Sequence, residues 1–299
     1  MAAPIFSLVL ATYGRVDEIG RLMDSLAAQT CADFELIFAD QNPDERVLPF
    51  VERARVAGWR YQHLRLAEPN LSAARNAGMQ VAQGDWLAIP DDDCWYEPDT
   101  LARVLERVSA PPLVDGIVIR WVEVADKVAA EDDSPLRAQA WRRFRGADAS
   151  SIALFIRTDL ARRVGGFDER LGVGQWYGAG EETDFLLRML DVGAAIERLP
   201  AACVHHEFGQ SYANEPGAEY RLARSRARGW GAICVKHRLP AWTVLRGLIG
   251  PLLWPVLRQG GPVGVARAAG VLIGRWQGFL AWRSGPPPAH PSSEGHTSF

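Results

Sequence analysis

Trp86-Leu87-Ala88-Ile89-Pro90-Asp91-Asp92-Asp93-Cys94-Trp95-Tyr96-Glu97-Pro98 is the stretch whose reading decides the fold. Its first four residues form a short apolar run of the kind that makes a buried strand, and three aspartates follow directly. Carboxylates crowded at a strand end repel one another and are costly to desolvate unless a cation lies between them. Hard oxygen ligands suit Mg²⁺ or Mn²⁺, ions that bridge a protein carboxylate to substrate phosphates. The competing reading is a solvated acidic turn ahead of a helix starting near Pro98.

Outward from this stretch, strand and helix alternate through the first 110 residues. Ile5 to Ala11 is a nearly unbroken apolar run, as in a parallel strand buried on both faces. Val16, Ile19, Leu22, Met23 and Leu26 recur at helical spacing. Further strands are expected over Phe34–Asp40, Arg60–Leu66 and Trp86–Ile89, with helices over Asp44–Ala57 and Leu71–Val81. Such alternation predicts an α/β fold whose ligands sit beyond the carboxyl ends of the strands, where Asp40 and the aspartate triplet fall. After residue 110 the pattern changes. Strands are expected over Val114–Val124, Ile152–Arg157 and Ala195–Leu199, with a polar, loop-rich stretch from Ala125 to Arg145 and a helix over Glu181–Val192.

Composition limits the function. With 48% hydrophobic and 23% charged residues the chain is an ordinary globular protein with ample length for a core. Cys31, Cys94, Cys203 and Cys234 show no zinc-type spacing and suggest no disulfide framework, which fits a reducing cytoplasmic compartment. The N-terminal Met1-Ala2-Ala3-Pro4-Ile5-Phe6 lacks a basic lead and reads as the entry to a first strand, not as a signal peptide. The net charge of −3 hides an asymmetry: residues 220–285 hold eleven Lys or Arg and no acid, against 22 basic and 35 acidic residues in 1–219. No nucleic-acid motif accompanies the basic run, but Trp230, Trp242, Trp254, Trp276 and Trp282 do, and Trp with Arg on apolar segments favours an anionic membrane surface. Arg246, Pro251 and Pro255 interrupt one apolar segment, and Arg267 and Arg275 the next, so attachment in the interface is expected rather than a span. A helical core extension or dimer surface is the rival reading.

Several blocks in order carry a resemblance. Phe6-Ser7-Leu8-Val9-Leu10-Ala11-Thr12-Tyr13-Gly14-Arg15, then Leu26 to Thr30 and Phe34 to Ile37, then Asn70-Leu71-Ser72-Ala73-Ala74-Arg75-Asn76-Ala77-Gly78, the Asp triplet and Gly180-Glu181-Glu182-Thr183-Asp184 follow one another. Over roughly residues 4–210 the chain resembles a family 2 glycosyltransferase of the GT-A type. The resemblance implies a mixed, mainly parallel sheet flanked by helices. It sets a catalytic domain at 1–215, with a donor half (1–110) and an acceptor half (111–215). A basic helical membrane-associating extension (216–285) and a disordered tail (286–299) follow.

The same resemblance implies a metal-dependent inverting transferase that takes a sugar from a nucleotide-diphospho-sugar, a UDP-sugar first, to a saccharide or lipid-linked acceptor. Bacterial surface polysaccharide synthesis at the inner face of the cell membrane is the implied setting. Asp93 is the expected contact to Mg²⁺ or Mn²⁺, with Asp91 or Asp92 reaching the metal's waters or the ribose. Cys94 stands where the family often has another Asp. Thr12, Tyr13, Gly14 and Arg15 form the donor turn. Asp40 is expected on the base or ribose, Arg75 on the diphosphate, and Asn70 and Ser72 at the donor or as a helix cap. Glu182 is the expected general base, with Glu181 and Asp184 in reserve. The rival reading is that acids simply favour a helix N-terminus. Of His205-His206, His205 is preferred as a third metal ligand. A non-catalytic binding or scaffold protein of the same fold, or a sugar nucleotidyltransferase, are the alternatives.

Overall fold

β1 (Phe6–Thr12) and β2 (Phe34–Asp40) are buried along their whole length, as their near-continuous apolar sequences require of strands covered on both faces. They are the middle of the parallel part of the sheet in a computed structural model that describes residues 3–123, 135–143, 149–206, 215–257 and 261–284. β1 pairs in parallel with β2 on one side and with β4 (Trp86–Ala88) on the other, and β3 (Arg60–Arg65) extends β2 in parallel. Helices α1 (Asp17–Ala27), α2 (Leu48–Val56) and α3 (Leu71–Val81) are the crossovers. Ile19, Leu22, Met23 and Leu26 of α1 all point into the core, at the spacing read from the sequence.

The sheet then changes direction. β7 (Leu154–Arg157) runs antiparallel to β4, β6 (Gly116–Glu123) antiparallel to β7, and β8 (Ile196–His206) parallel to β6. β5 (Cys94–Tyr96) closes the edge antiparallel to β8, giving the order β3-β2-β1-β4-β7-β6-β8-β5. Helices α4 (Thr100–Ser109), α5 (Ala138–Trp141), α6 (Thr158–Arg163) and α7 (Glu181–Asp191) connect and cover these strands.

Three elements depart from the sequence reading. β8 runs seven residues past Leu199, because Pro200 falls where the β6–β8 register slips: Ile119 faces Leu199, but Arg120 faces Cys203. A proline at a bulge interrupts the apolar pattern without ending the strand. β5 is too short to show a period of its own and exists by pairing with β8. The start of the second helix is also later than expected, at Leu48, with Pro49 in its first turn. The proposed tail, and parts of the 125–145 loop region, lie outside the described residues.

The basic C-terminal region forms α8 (Pro216–Lys236), α9 (Ala241–Leu257) and α10 (Gly261–Ser284). α8 and α10 pack along each other, and α8 also packs on α7. A Cβ on Gly229 would overlap the carbonyl oxygen of Ala179, and one on Gly278 that of Arg228, so backbone lies against backbone at both joints. Ala232, Ile233 and Cys234 of α8 belong to the same buried cluster as the sheet. Among the described residues no helix is long and apolar enough to cross a membrane.

Candidate active site

Ala11, one residue before the end of β1, bridges to Asp91, which sets the Tyr13–Arg15 turn beside the aspartates. Gly14 makes that turn with φ +81°, a left-handed conformation that side chains with a Cβ resist. Its N–H donates to Asn42 Oδ1 at 2.6 Å, and Asn42 is in turn held by Asp40, which accepts from the Asn42 backbone N–H (2.9 Å) and Nδ2 (2.8 Å). The other Asp40 oxygen meets His63 Nε2 at 2.9 Å and Arg65 Nη1 at 3.4 Å. Asp40 is thus wholly enclosed and acts on the turn through Asn42. Tyr13 is half-buried at the same turn.

The three aspartates are held by different sets of partners, with Arg15 shared between Asp92 and Asp93. Asp91 accepts from Arg75 Nη2 at 2.8 Å. Asp92 accepts from Thr12 Oγ1 and from Arg15 Nη1, both at 2.8 Å. Asp93 pairs with Arg15 and lies 3.2 Å from His206 Nε2. Burial pushes the Asp92 carboxyl up to about 7, with Arg15 and Thr12 offsetting it only in part. Burial acts on Asp93 in the same direction, but His206 and Arg15 outweigh it and hold that carboxyl below its ordinary value. His206 is raised correspondingly, the attraction of Asp93 exceeding the desolvation that opposes it.

Donor atoms of Asp91, Asp93 and His206 all lie within 4.8 Å of one another. Ligands about 2.1 Å from one octahedral ion sit about 3 Å apart, and the 3.2 Å between Asp93 and His206 meets that spacing. Two carboxylates and an imidazole fit Mn²⁺ or Mg²⁺. His205, the residue preferred from sequence, is on the other face: it opposes Trp95 and stacks on its ring, while His206 opposes Cys94. Adjacent residues of a strand point to opposite sides, and only the β5–β8 register says which side is which. Cys94 is no ligand. Its buried thiol donates to the Asp91 carbonyl at 3.1 Å and burial holds its pKa well above the ordinary thiol value.

Arg75 links Asp91 to Glu181. Its side chain is 1% exposed, donates to Asp91 and to Ser151 Oγ (2.9 Å), and places Nη1 3.7 Å from Glu181 Oε1. Its Nε and Nη1 donate to nothing among the described residues. The charge is held because Asp91, Glu182 and Glu181 outweigh the desolvation that acts against it.

Glu181 and Glu182 open α7 after Gly180, whose φ of +99° turns the chain into the helix. Glu181 is buried, and desolvation followed by repulsion from Glu182 pushes its carboxyl up to about 7. Glu182 is only half-buried and accepts from the Ser151 N–H at 2.9 Å, from the Ser151 hydroxyl and from Ser150 Oγ at 3.3 Å. Asp184 faces elsewhere. It is fully buried and pairs with Lys236 Nζ (2.6 Å), His237 Nε2 (2.8 Å) and Arg188 Nη2 (2.8 Å), so it anchors α8 to α7. Asn70 and Ser72 are likewise structural. Asn70 caps α3 through the Ala73 N–H and donates to the Glu169 carbonyl, and Ser72 donates to the Leu171 carbonyl. Ser151 and His206 are the site residues the sequence reading missed. His206 carried a signal in the His pair, whereas Ser151 carried none.

Residues 7–158 match the sequence profile of "Glycosyl transferase family 2". A "PGL/p-HBAD biosynthesis glycosyltransferase" of Mycobacterium bovis BCG is 38% identical over 106 residues, 35% of this chain, and the match spans 41% of that relative's length. An "uncharacterized glycosyltransferase" of Haemophilus influenzae is 28% identical over 193 residues, covering 62% of each chain. In fold, the chain is similar to residues 1–349 of S. aureus TarS solved in complex with UDP-GlcNAc, with a TM-score of 0.59 at 15% identity, covering 93% of this chain and 91% of the other. The chain belongs to glycosyl transferase family 2.

Proposed function

We propose that the protein transfers a sugar, with inversion, from a nucleotide-diphospho-sugar to a hydroxyl of a saccharide or lipid-linked acceptor. The observation that carries this reading is Arg75: a buried guanidinium 2.8 Å from Asp91 and 3.7 Å from Glu181 joins the two groups of carboxylates such a transfer needs. Asp91, Asp93 and His206 would hold Mg²⁺ or Mn²⁺, which supplies Lewis-acid stabilisation of a departing diphosphate. Arg15 and Arg75 add fixed positive charge on either side of the same place. The turn at Tyr13–Arg15 would border the nucleoside, positioned from below by Asn42.

Glu182 is the general base in this reading. It is the member of the pair that reaches solvent, and the Ser151 N–H fixes its orientation. As the acceptor oxygen attacks the anomeric carbon, Glu182 takes its proton and the carbon–oxygen bond to the diphosphate breaks, the electron pair leaving with that oxygen. One displacement at one carbon inverts its configuration. The neighbouring Glu181, protonated up to about pH 7, keeps the pair from carrying two adjacent negative charges. A UDP-sugar is the first donor class to try, a choice supported by the S. aureus neighbour captured with UDP-GlcNAc.

The C-terminal helices support a lipid-linked acceptor. α9 exposes Trp242, Leu245 and Ile249 at helical spacing beside Arg246, and α10 exposes Val265, Ile273, Trp276 and Leu280. Large apolar side chains flanked by arginines, with no acid between residues 220 and 285, suit an anionic bilayer surface. The function is tested by screening UDP-, GDP- and dTDP-sugars for slow Mn²⁺-dependent hydrolysis and for binding, in wild type and Asp93→Ala. Release or metal-dependent binding of one donor, lost in the variant, supports the reading; neither hydrolysis nor binding across the panel refutes it. Sedimentation with vesicles tests the surface: binding to anionic but not neutral vesicles, weakened by salt, is expected, and no binding to either removes the membrane partner.

A further inference from the structure

The β5–β8 register that turns His206 towards Asp93 has a second product on the opposite face. Cys94 faces His206, Trp95 faces His205, and the Glu97 N–H donates to the Cys203 carbonyl at 3.3 Å. Alternation therefore collects Glu97, Cys203 and His205 on one side of the two strands. His205 Nε2 lies 3.1 Å from Glu97 Oε1 and 3.9 Å from Cys203 Sγ, and all three donor atoms fall within 4.8 Å of one another.

The arrangement has the form of a metal site rather than of a nucleophile and its base. In a Cys–His–Glu relay the thiol and the carboxylate engage different ring nitrogens. Here both converge on Nε2, so the three lone-pair donors share one focus. A tetrahedral zinc ion, with bonds of about 2.3 Å to sulfur and about 2.0–2.1 Å to nitrogen and oxygen, sets S···N near 3.6 Å and N···O near 3.3 Å. The observed 3.9 and 3.1 Å differ from these by only a few tenths of an ångström. The ring is also held in place: His205 stacks on Trp95 with centroids 5.4 Å apart at 12°, and the Arg21 guanidinium lies over the Trp95 ring at 4.7 Å. Cys203 is fully buried, whereas Glu97 and His205 reach solvent, which leaves an entry path and a fourth position for water.

We propose that Glu97, Cys203 and His205 form a second cation site, of the zinc class and distinct from the Asp91–Asp93–His206 site, that clamps the three-residue edge strand β5 onto β8. Binding replaces the Cys203 thiol proton, which leaves to solvent, with a metal–sulfur bond; nothing is oxidised or reduced. The chemistry of the donors separates the two sites. Thiolate and imidazole favour zinc or cobalt, whereas the aspartate site offers mainly oxygen. The consequence for the reaction is positional. β5 leads directly out of the aspartates and β8 ends in His206, so an ion on the outer face stiffens the strands that align the inner one.

The test is Co²⁺ titration of the metal-stripped full chain, since a thiolate–cobalt bond adds a near-ultraviolet charge-transfer band that oxygen ligands do not give. One band-forming site per chain is expected, displaced by Zn²⁺, unchanged in Asp93→Asn, and lost in Cys203→Ala. Glu97→Gln and His205→Gln alter more exposed positions and should each weaken Co²⁺ binding at least about tenfold while circular dichroism stays unchanged. Zn²⁺ should raise the Tm of wild type and not of Cys203→Ala. Absence of the band in wild type, or a band of equal affinity in both Gln variants, overturns the proposal.

Discussion

Replacing Arg75 by Met is the most informative single perturbation, because its guanidinium lies against Asp91, Ser151 and Glu181 together. At the 3.7 Å separation from Glu181, a unit charge pair in an effective dielectric of about 20 is worth about 4 kcal/mol. Removing one member of a buried pair costs about 3–5 kcal/mol, since the remaining carboxylates lose their compensation. The cost should depend on pH. Glu181 is already protonated at pH 5, its carboxyl being raised to about 7, so at that pH the variant loses the attraction to Asp91, which water reaches in part, and to Glu182, but not that to Glu181. At pH 8 Glu181 must either stay charged without Arg75 or take up a proton, and the full cost applies. Urea unfolding followed by tryptophan fluorescence should therefore show about 3–5 kcal/mol of destabilisation at pH 8 and roughly half of that at pH 5. In an Arg75→Met/Glu181→Gln double variant most of the pH dependence should vanish. A loss below about 1 kcal/mol at pH 8, or an equal loss at both pH values, would refute the assignment of Arg75 as the compensating charge.

Glu182→Gln should lower turnover by about 10²–10⁴-fold while leaving donor affinity within a few-fold, read from steady-state kinetics and direct binding; a parallel loss of donor binding would place Glu182 on the donor instead. Glu181 lowers stability as pH rises. Its folded pKa of about 7 lies above the ordinary 4.5, so the folded state binds the extra proton. The penalty is absent below pH 4.5, grows between 4.5 and 7, and reaches on the order of 3 kcal/mol above that. Glu181→Gln should flatten this slope between pH 5 and 8, and an unchanged slope would assign it to other groups. His206→Ala should weaken Mn²⁺ binding by at least about tenfold and His205→Ala should leave it nearly unchanged, by calorimetry in the presence of donor. Gly278→Ala should destabilise by about 1–3 kcal/mol, because its Cβ meets the Arg228 backbone rather than a side chain that can turn away; a neutral change would show the α8–α10 joint to be loose.

What the sequence determined by itself is whatever local periodicity and composition record. Nearly continuous apolar runs at Phe6–Thr12 and Phe34–Asp40 require strands covered on both faces, the 3.6-residue spacing in Asp17–Ala27 requires a helix, and their alternation requires a parallel sheet with its ligands at the strand ends. The aspartates, the Tyr13–Arg15 turn, Arg75 and the Glu pair stood out as candidates on those grounds together with the order of their motifs, and the fold brings them together. The rest was decided by pairing between segments far apart in the chain. Whether His205 or His206 meets Asp93 depends on one register, Cys94 opposite His206, between strands more than a hundred residues apart, and a slip of one residue would exchange their faces. Asp184 sits among the acids of α7 in sequence, but the packing of α8 gives it Lys236 and His237 and removes it from the site. Composition sets the C-terminal region apart as basic and aromatic, yet α8 joins the main core, because small residues at Gly229 and Gly278 let backbones touch, and no local pattern says which surface will be there to touch.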